Sequence, residues 1–305
     1  MHPSRLAPGT GIVNVPGGGL ALRTADGEFL RIDTGRADGE ALTHRLVTGS
    51  GSGARSGSGS GSGGKAAEAH ANDELAPLVR AFEEAGYAVP ATAGPRPGPL
   101  RGRAVLLLGD TDLTAPLARF AAAEGAEPRA VEPKRVTELV EGHAPDDPTA
   151  VVWCLDSPVP EGLWDKADRL PEVRVGWLRC HREGAHMWIE PVASAPGDVT
   201  SAHVRLRRLA ATPAHRELAA YWAGHRTPDT GPHPTEASAA LIASLLTADL
   251  VAWAAGEQHR ASALPARRRL RRVDLRDLTV TDHPVLPVPR VAPLPAPAEP
   301  VGTRP

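Results

Sequence analysis

Two uninterrupted apolar runs place the strongest constraint on what this chain can fold into. Residues 104–108 (AVLLL) and 149–155 (TAVVWCL) contain no charged side chain. A strand made from either run must be buried on both faces. Segments with helical character lie between the runs, at 114–124 and 136–141. Strands that alternate with helices predict an α/β domain, in which helices cover a parallel sheet.

Apolar periodicity and turn signals predict further elements in the same part of the chain. All six tryptophans lie here, and we expect them to be packing anchors in the core. The additional elements are a brief strand at 130–131, strands at 173–178 and 186–192 around a turn at 181–184, and helices at 204–209, 213–222 and 235–255.

The first 90 residues show a different pattern. Short apolar runs at 11–15, 20–24 and 28–32 are separated by turn signals, and the second turn is Asp26-Gly27. This spacing predicts a meander of three short strands with one uncovered edge. A helix is expected to follow at 38–47.

The clearest helix of this region is predicted to begin at Asn72 or Asp73 and to end near Gly86. Its apolar residues recur at spacings that place them on one helical face. The ordinary role of such a stripe is core packing. The stripe consists of Leu75, Leu78, Val79 and Phe82.

Three segments lack the apolar residues of a core. Fourteen of the sixteen residues at 49–64 are Gly or Ser, which predicts a flexible coil, and a natural insertion would have the same composition as an engineered replacement. The Pro/Gly-rich segment 91–103 is interpreted as the linker between two domains. The tail 283–305 has eight prolines and is expected to be extended.

Charge and cysteine content exclude several classes of protein. Thirty-four basic and 36 acidic side chains give a net charge of −2, whereas nucleic-acid-binding proteins are usually basic. Cys154 and Cys180 are too few for a disulfide framework or a four-cysteine zinc site. No signal core and no run of about 18 uninterrupted apolar residues is present, so the protein is expected to be cytoplasmic and soluble.

A nucleotide-binding loop would follow the strand 104–108, but its glycines are missing. A GxGxxG motif from Gly109 requires glycine at two positions that Thr111 and Thr114 occupy, and Asp110 and Asp112 lie between them. Side chains there block the approach of a phosphate and carboxylates repel it. We therefore predict that no nucleotide cofactor is bound.

Other chemical motifs are weak. Cys180, His181 and His186 surround a predicted hairpin, but a fourth metal ligand is not evident. No GxSxG nucleophile elbow is present. The basic run 267–272 (RRRLRR) has acidic neighbours and is interpreted as a solvated helix end or loop.

Six segments of the second part form a recognisable pattern: 188–192, 195–197, 213–216, 239–256, 273–275 and 283–287. This pattern resembles the ThiF-like partner proteins of cyclodehydratases in azole-forming peptide natural-product pathways. The resemblance implies a degenerate Rossmann-like ThiF-type α/β domain over 104–282, with no catalytic residue, cofactor or metal. The positions of the family's four zinc-ligating cysteines are occupied by Ser201, Val204, Val291 and Leu294.

Residues 1–90 resemble the precursor-peptide recognition element that precedes such domains, which is a winged helix-turn-helix of three strands and three helices. The resemblance places the second helix near 65–71. It implies that a leader peptide adds as a strand beside residues 28–33, next to the last helix, and strand addition uses the free groups of an uncovered edge. The implied binding residues are Glu28, Phe29, Leu30, Arg31, Ile32, Asp33, Leu75, Leu78, Val79 and Phe82.

The favoured hypothesis is a non-catalytic scaffold that binds a precursor's leader peptide and presents the peptide to a YcaO-type ATP-dependent cyclodehydratase. A homodimer and the product class, thiopeptide or other thiazole/oxazole peptide, stay open. One alternative is a ThiF-like adenylating enzyme. The second is a winged-helix DNA-binding regulator, which the acidic helix 73–86, with Arg80 as its one arginine, disfavours.

Overall fold

The computed structural model describes residues 3–17, 19–49, 64–91, 98–142, 145–228, 230–256 and 264–289, and in 64–73 it describes the backbone only. The chain divides into two compact units, Met1–Arg96 (unit 1) and Pro97–Pro305 (unit 2). Of the coil expected at 49–64, residues 50–63 lie outside the described residues, as do the expected zinc-replacement positions Val291 and Leu294, whereas Gly49 ends one helix and Gly64 begins the next.

Unit 1 contains a three-stranded antiparallel sheet in the order β2-β3-β4, which confirms the predicted meander. A separate pair, β1 with β5, was not predicted. The elements are β1 Ser4–Leu6, β2 Gly11–Val15, β3 Gly19–Arg23, β4 Phe29–Ile32, α1 Gly39–Thr48, α2 Gly64–Glu84 and β5 Ala88–Pro90.

Helix α1 has the start and stop signals that its sequence predicts. The Asp38 carboxylate accepts a hydrogen bond from the Glu40 amide at 2.9 Å, and Gly49 ends the helix with φ 67°. Helix α2 begins at Gly64, earlier than the predicted start at Asn72 or Asp73, so residues 65–71 belong to it. The described part of unit 1 therefore has two α-helices, where the resemblance implies three.

The core of unit 1 lies between the meander and the two helices. Leu22 from β3 packs against Leu42 and Leu46 of α1, and all three are essentially inaccessible to water. The apolar stripe of α2 supplies the rest of the core. Burial of a leucine side chain stabilises a fold by about 1.5–3 kcal/mol, so these residues hold α1 and α2 against the sheet.

Unit 2 is built on a seven-stranded sheet in the order β12-β11-β10-β9-β8-β6-β7. Strands β7, β6, β8 and β9 are parallel, and β10 to β12 continue the sheet antiparallel. The predicted α/β class is confirmed. The elements are β6 Ala104–Gly109, α3 Thr111–Ala123, β7 Glu127–Ala130, α4 Lys134–Glu141, β8 Thr149–Leu155, β9 Gly176–Glu183, β10 His186–Ile189, α5 Ser201–Ala211, α6 His215–Trp222, α7 Glu236–Ala254, β11 Arg269–Asp274 and β12 Val280–Pro284.

Two apolar cores lie on the two faces of this sheet. Helices α3 and α7 cover one face, with Leu117 and Leu246 among the buried residues. Helix α4 and the 3-10 helix Ala167–Val173 cover the other, where Trp164 and Trp177 meet edge to face at 5.7 Å between ring centroids. The strands β6 and β8 lie between the cores, which explains why both are apolar throughout.

Helix α7 is long and apolar enough to cross a membrane by length and composition. In this structure its apolar side chains Ile242, Leu246 and Leu250 are fully buried in the core of unit 2. Its Asp249 carboxylate pairs with Arg271. The composition of α7 is thus accounted for by its place in the core.

Several predicted elements are wrong in detail. Strand β9 continues through His181 to Glu183, so the hairpin turn is formed by Gly184 and Ala185 and not by 181–184. Residue Val173 belongs to a 3-10 helix. Leu100, in the predicted linker, is fully buried in unit 2.

The basic run was also misread, because most of it is strand β11 and not a solvated helix end or loop. Arg271 is 4 % exposed, and its guanidinium is held by the Asp249 carboxylate, with Nη2 to Oδ1 at 3.0 Å. Arg269 donates to the same carboxylate at 2.9 Å. The counter-charge comes from a helix distant in sequence, so local charge patterning did not predict it.

Candidate functional site

Strand β4 lies at the edge of the meander of unit 1. It pairs with β3 along one side, with Leu22 opposite Leu30 and Leu20 opposite Ile32. Within the described part of unit 1, no strand pairs with its other side. Such an edge presents unpaired N–H and C=O groups, which an incoming extended chain can use.

The two faces of β4 differ. Leu30 and Ile32 lie on the same face as the buried Leu20 and Leu22, because cross-strand neighbours share a face. Ile32 packs against the core, whereas Leu30 is 40 % exposed. Leu30 is therefore an apolar side chain at the rim of the core, next to a free strand edge.

The α2 stripe divides into core and surface. Leu75, Val79 and Phe82 are all buried in the core of unit 1. Leu78 is partly buried, and it packs at the margin of the same cluster. Of the four implied α2 residues, Leu78 thus retains the most surface for contact with a ligand.

The remaining implied residues lie on the outer face of β4 or flank the strand. Phe29 and Arg31 occupy the opposite face of β4, and Phe29 is 63 % exposed. The Glu28 amide donates to Thr24 Oγ1 at 3.1 Å and closes the hairpin. The Asp33 carboxylate accepts from the Gly35 amide at 2.9 Å. In the core of unit 1, Ile32 therefore packs in the same cluster as the α2 stripe, whereas Leu30 lies outside this cluster on the same face of β4.

In unit 2, the carboxyl end of β6 is the point where the order of the parallel strands reverses, since β7 lies on one side of β6 and β8 on the other. Open α/β sheets bind ligands at such a point. Here Gly109 has φ 100°, and a Cβ atom on it would lie 1.8 Å from the Cys154 carbonyl oxygen. The glycine is needed for close approach of two strands.

Carboxylates occupy this switch point. The Asp110 carboxylate accepts a hydrogen bond from the Asp156 amide at 2.6 Å. The Asp156 carboxylate pairs with Arg182, and its Oδ2 lies 2.6 Å from His233 Nδ1. Asp112 adds a third carboxylate in the first turn of α3. This distribution of charge opposes the binding of a phosphate.

The expected zinc-replacement positions within the described residues have structural contacts. Ser201 Oγ accepts a hydrogen bond from Arg179 Nε at 2.8 Å. Val204 is 1 % exposed and packs with Val285 and Leu270 in a small apolar cluster. Ser201 thus has a hydrogen bond and Val204 an apolar contact at the two positions where the resemblance implies replaced cysteines.

The side chains of Cys180, His181 and His186, which surround the hairpin, do not meet at one point where a metal could bind. Cys180 points into the core that α7 covers, whereas its neighbour His181 points to the other face of the strand. In the described chain, no group of three or more His, Cys, Asp or Glu side chains is arranged to hold a metal. Cys154 lies opposite Cys180, and this contact and burial raise the pKa of the Cys180 thiol well above its usual value.

A buried polar network that sequence reasoning missed holds α5 and α6 to the sheet. Arg179 is fully buried and donates to Glu190 at 2.9 Å, to Ser201 and to backbone carbonyls. Glu183 accepts hydrogen bonds from Arg208 and from the Trp222 indole at 2.7 Å. The partners lie far apart in sequence, so no local motif signals the network.

Glu183 makes the stability of unit 2 dependent on pH. Burial alone would raise the pKa of its carboxyl, but hydrogen bonds and charge attraction from His181 and Arg208 outweigh burial and hold the pKa well below the model-peptide value of 4.5. A lowered folded-state pKa stabilises the fold above about pH 4.5, and this stabilisation is lost as the pH falls towards the folded-state pKa.

We therefore expect Glu183→Gln to destabilise unit 2 at pH 7 and to reduce the loss of stability between about pH 5 and pH 3. Urea unfolding followed by tryptophan fluorescence measures this difference. Glu161→Gln, an exposed carboxylate of the same unit, is the matched control. A Glu183→Gln variant whose stability falls with acidification as steeply as that of the wild type would contradict the assignment.

Solved structures share the fold of the chain. A heterocyclase in complex with substrate and cofactor aligns over 94 % of this chain and 39 % of its own, with TM-score 0.62 and 11 % identity. The heterocyclase TruD aligns over 93 % of this chain and 41 % of its own, with TM-score 0.59 and 12 % identity. E. coli MccB, solved with AMPCPP and MccA, aligns over 96 % of this chain and 99 % of its own, with TM-score 0.57 and 10 % identity.

The lengths of these matched chains differ. The chain spans about two fifths of the two heterocyclase chains and nearly all of MccB. No protein-family model and no curated protein sequence matches the chain. At 10–12 % identity the likeness concerns the fold. The chain has the mixed α and β fold that MccB and part of the heterocyclase TruD share.

Proposed function

We propose that this protein is a non-catalytic scaffold that binds the leader of a ribosomally made precursor peptide. In this proposal the protein presents that peptide to a YcaO-type cyclodehydratase, which forms azolines. The observation that carries the proposal is the edge strand β4, whose exposed Leu30 lies at the rim of the unit 1 core. Unit 1 then acts as a winged-helix recognition element.

The geometry of β4 supports strand addition. A leader peptide in extended form would pair with the free edge of β4 through backbone hydrogen bonds, which provide affinity for any sequence. Alternate side chains of the leader would face the same side as Leu30 and Ile32 and meet Leu78 of α2. Specificity would therefore come from apolar side chains of the leader at every second position.

The likeness to solved structures agrees with this role. A heterocyclase with the same fold was solved in complex with its substrate and cofactor, and its chain is more than twice as long as this one. We propose that the YcaO-type activity belongs to a separate partner of this protein. Binding of the leader to a scaffold that also binds the enzyme would raise the effective concentration of the core peptide.

The alternative function, a ThiF-like adenylating enzyme, is supported only by the shared fold. MccB, which shares the fold, was solved with AMPCPP. In this chain Asp110, Asp112 and Asp156 surround the switch point, where a nucleotide would place its phosphates. We therefore propose that unit 2 does not turn over ATP. Pyrophosphate exchange catalysed by the purified protein alone would contradict this part of the proposal.

Leader binding is tested by fluorescence anisotropy of a labelled leader peptide encoded beside this protein's gene. We expect saturable binding, and we expect Leu30→Asp and Leu78→Asp to weaken it about 10-fold to 100-fold, because a carboxylate would be desolvated against apolar side chains. Methylation of alternate leader amides should weaken binding similarly, since it removes donors to the strand edge.

Val13→Asp is the matched control, because Val13 is exposed on the opposite face of the same sheet. Circular dichroism of each variant verifies that unit 1 stays folded. If the wild type does not bind the leader, or if Val13→Asp weakens binding as much as Leu30→Asp does, the β4 site is wrong. Binding of duplex DNA with a strong salt dependence would instead favour a regulator.

A further inference from the structure

A cavity of about 1060 Å³ lies within unit 2, between the antiparallel end of the sheet and two helices. Neither Asp110 nor Asp156 of the switch point lines it. Its volume is at the upper end of the range for ligand pockets. The residues that carry the argument are Trp188, Leu270, Arg272 and His283 on the sheet, and Leu218 and Tyr221 on α6.

Strand register explains why four different side chains form one wall. Trp188 of β10 lies opposite Arg272 of β11, and Leu270 of β11 lies opposite His283 of β12. Leu270 and Arg272 are two residues apart and so share a face. An indole, an aliphatic side chain, a guanidinium and an imidazole thus stand together on one surface of the sheet.

Two polar groups of this wall have no partner among the described residues. Arg272 is half-buried and has no hydrogen-bond or ion-pair partner among the described residues. The Nε2 atom of His283 is buried, and it too lacks a hydrogen-bond partner in the described chain. A buried polar atom without a partner is unfavourable, so a ligand that accepts a hydrogen bond there would be stabilised.

The other charged groups around the cavity are largely engaged. Arg208 pairs with Glu183 at 2.6 Å and stacks on Trp188 at 4.1 Å. Arg207 donates to the carbonyl oxygens of Leu286 and Pro287. The lining contains one carboxylate, that of exposed Glu217. The side chains that line the cavity therefore carry a net positive charge, which favours an anionic ligand at Arg272.

We propose that this cavity binds a peptide segment in which a Glu or Asp side chain stands next to large apolar side chains. The carboxylate would pair with the Arg272 guanidinium, which matches its planar geometry, and His283 Nε2–H would donate to it. Apolar neighbours would lie against Leu218, Tyr221 and Leu270. The cavity is open to solvent, so a peptide chain can reach it.

This inference does not rest on leader binding at β4. Its test uses the full-length protein and a fluorescein-labelled hexapeptide, Gly-Leu-Glu-Phe-Leu-Gly, with fluorescence anisotropy as the readout. We expect saturable binding, a loss of about tenfold or more for Arg272→Gln, and a similar loss when the glutamate of the peptide is replaced by glutamine. Arg272→Glu should bind the corresponding lysine peptide better than the wild type does.

Arg216→Gln is the matched control, because Arg216 is an exposed arginine of α6 outside the cavity lining. It should bind like the wild type. Absence of saturable binding, or equal affinity for the Glu and Gln peptides, would overturn the proposal. If free 4-phenylbutyrate displaces the labelled peptide and binds as tightly as the peptide does, then the cavity binds a small carboxylate and the proposed peptide ligand is wrong.

The same titration separates this site from the leader site. Leu30→Asp should leave hexapeptide binding unchanged, since Leu30 belongs to unit 1. If Leu30→Asp abolishes hexapeptide binding, then the hexapeptide binds at β4 and the cavity proposal is wrong. If the natural leader fails to bind while the hexapeptide binds through Arg272, then the leader proposal alone fails.

Discussion

Replacement of Arg179 by methionine is expected to lower the free energy of unfolding of unit 2 by about 3–5 kcal/mol, the usual cost of removing one partner of a buried ion pair. Arg179 is fully buried, and its guanidinium binds the Glu190 carboxylate, the Ser201 hydroxyl and the carbonyl oxygens of Pro191 and Val199. Methionine fills a similar volume but leaves Glu190 buried without its principal counter-charge.

Tryptophan fluorescence during urea unfolding measures this effect in unit 2 selectively. All six tryptophans of the chain lie in unit 2, so unit 1 does not contribute to the signal. The control is Arg135→Met, which removes a surface ion pair with Glu138, both of whose side chains are about half exposed. Surface pairs contribute about 0–1 kcal/mol, and the control should fall in that range.

A second comparison separates the charge from the packing. The double variant Arg179→Met with Glu190→Gln replaces the buried carboxylate by a neutral amide, so it should recover part of the lost stability. If the single variant costs no more than Arg135→Met, then the buried network does not stabilise unit 2. Equal stability of the single and double variants would show that the loss comes from packing and not from the stranded charge.

Gly109→Ala is expected to be the other large effect, with a cost of about 3 kcal/mol or more, because it combines a clash with backbone strain. A Cβ atom at Gly109 would lie 1.8 Å from the Cys154 carbonyl oxygen, and its φ of 100° is unfavourable for a side chain. The carboxyl ends of β6 and β8 would have to separate. The Asp110 amide would then lose its hydrogen bond to Cys154.

Gly197→Ala is the matched control for this prediction. Gly197 has a similar φ of 90°, but a Cβ atom there would meet no other atom within 4 Å. The control should therefore show the conformational cost alone, which is about 1–2 kcal/mol. Equal costs for the two variants, measured by urea unfolding, would contradict the steric role of Gly109.

The elements that were predicted well from the sequence are those whose formation does not depend on which segments pack against them. A run such as 104–108 is buried whichever strands flank it, because every one of its side chains is apolar. The start of α1 depends on Asp38 and its end on Gly49, both of which act within one helical turn. Local chemistry of this kind is present in the sequence itself.

The elements that were misread depend on distant partners. Arg271 has the appearance of a solvated charge until Asp249 of α7 is placed beside it. The α2 stripe does not show which of its residues remain accessible, because β3 and α1 decide that Leu75, Val79 and Phe82 are buried and that Leu78 is at the margin. Sequence periodicity defines a face but not what covers it.

The sequence by itself therefore determined the α/β class of unit 2, the meander of unit 1 and the absence of the glycines that a nucleotide loop needs. The tertiary structure alone decided that Leu30 of β4 is exposed although it lies on the core-facing side, that Arg179 is buried against Glu190, and that Arg272 and His283 share a cavity wall. The physical reason is the distance along the chain over which each kind of interaction acts. Strand propensity and helix capping act over a few residues, whereas side-chain exposure, charge burial and cavity shape arise from the pairing of segments far apart in the chain.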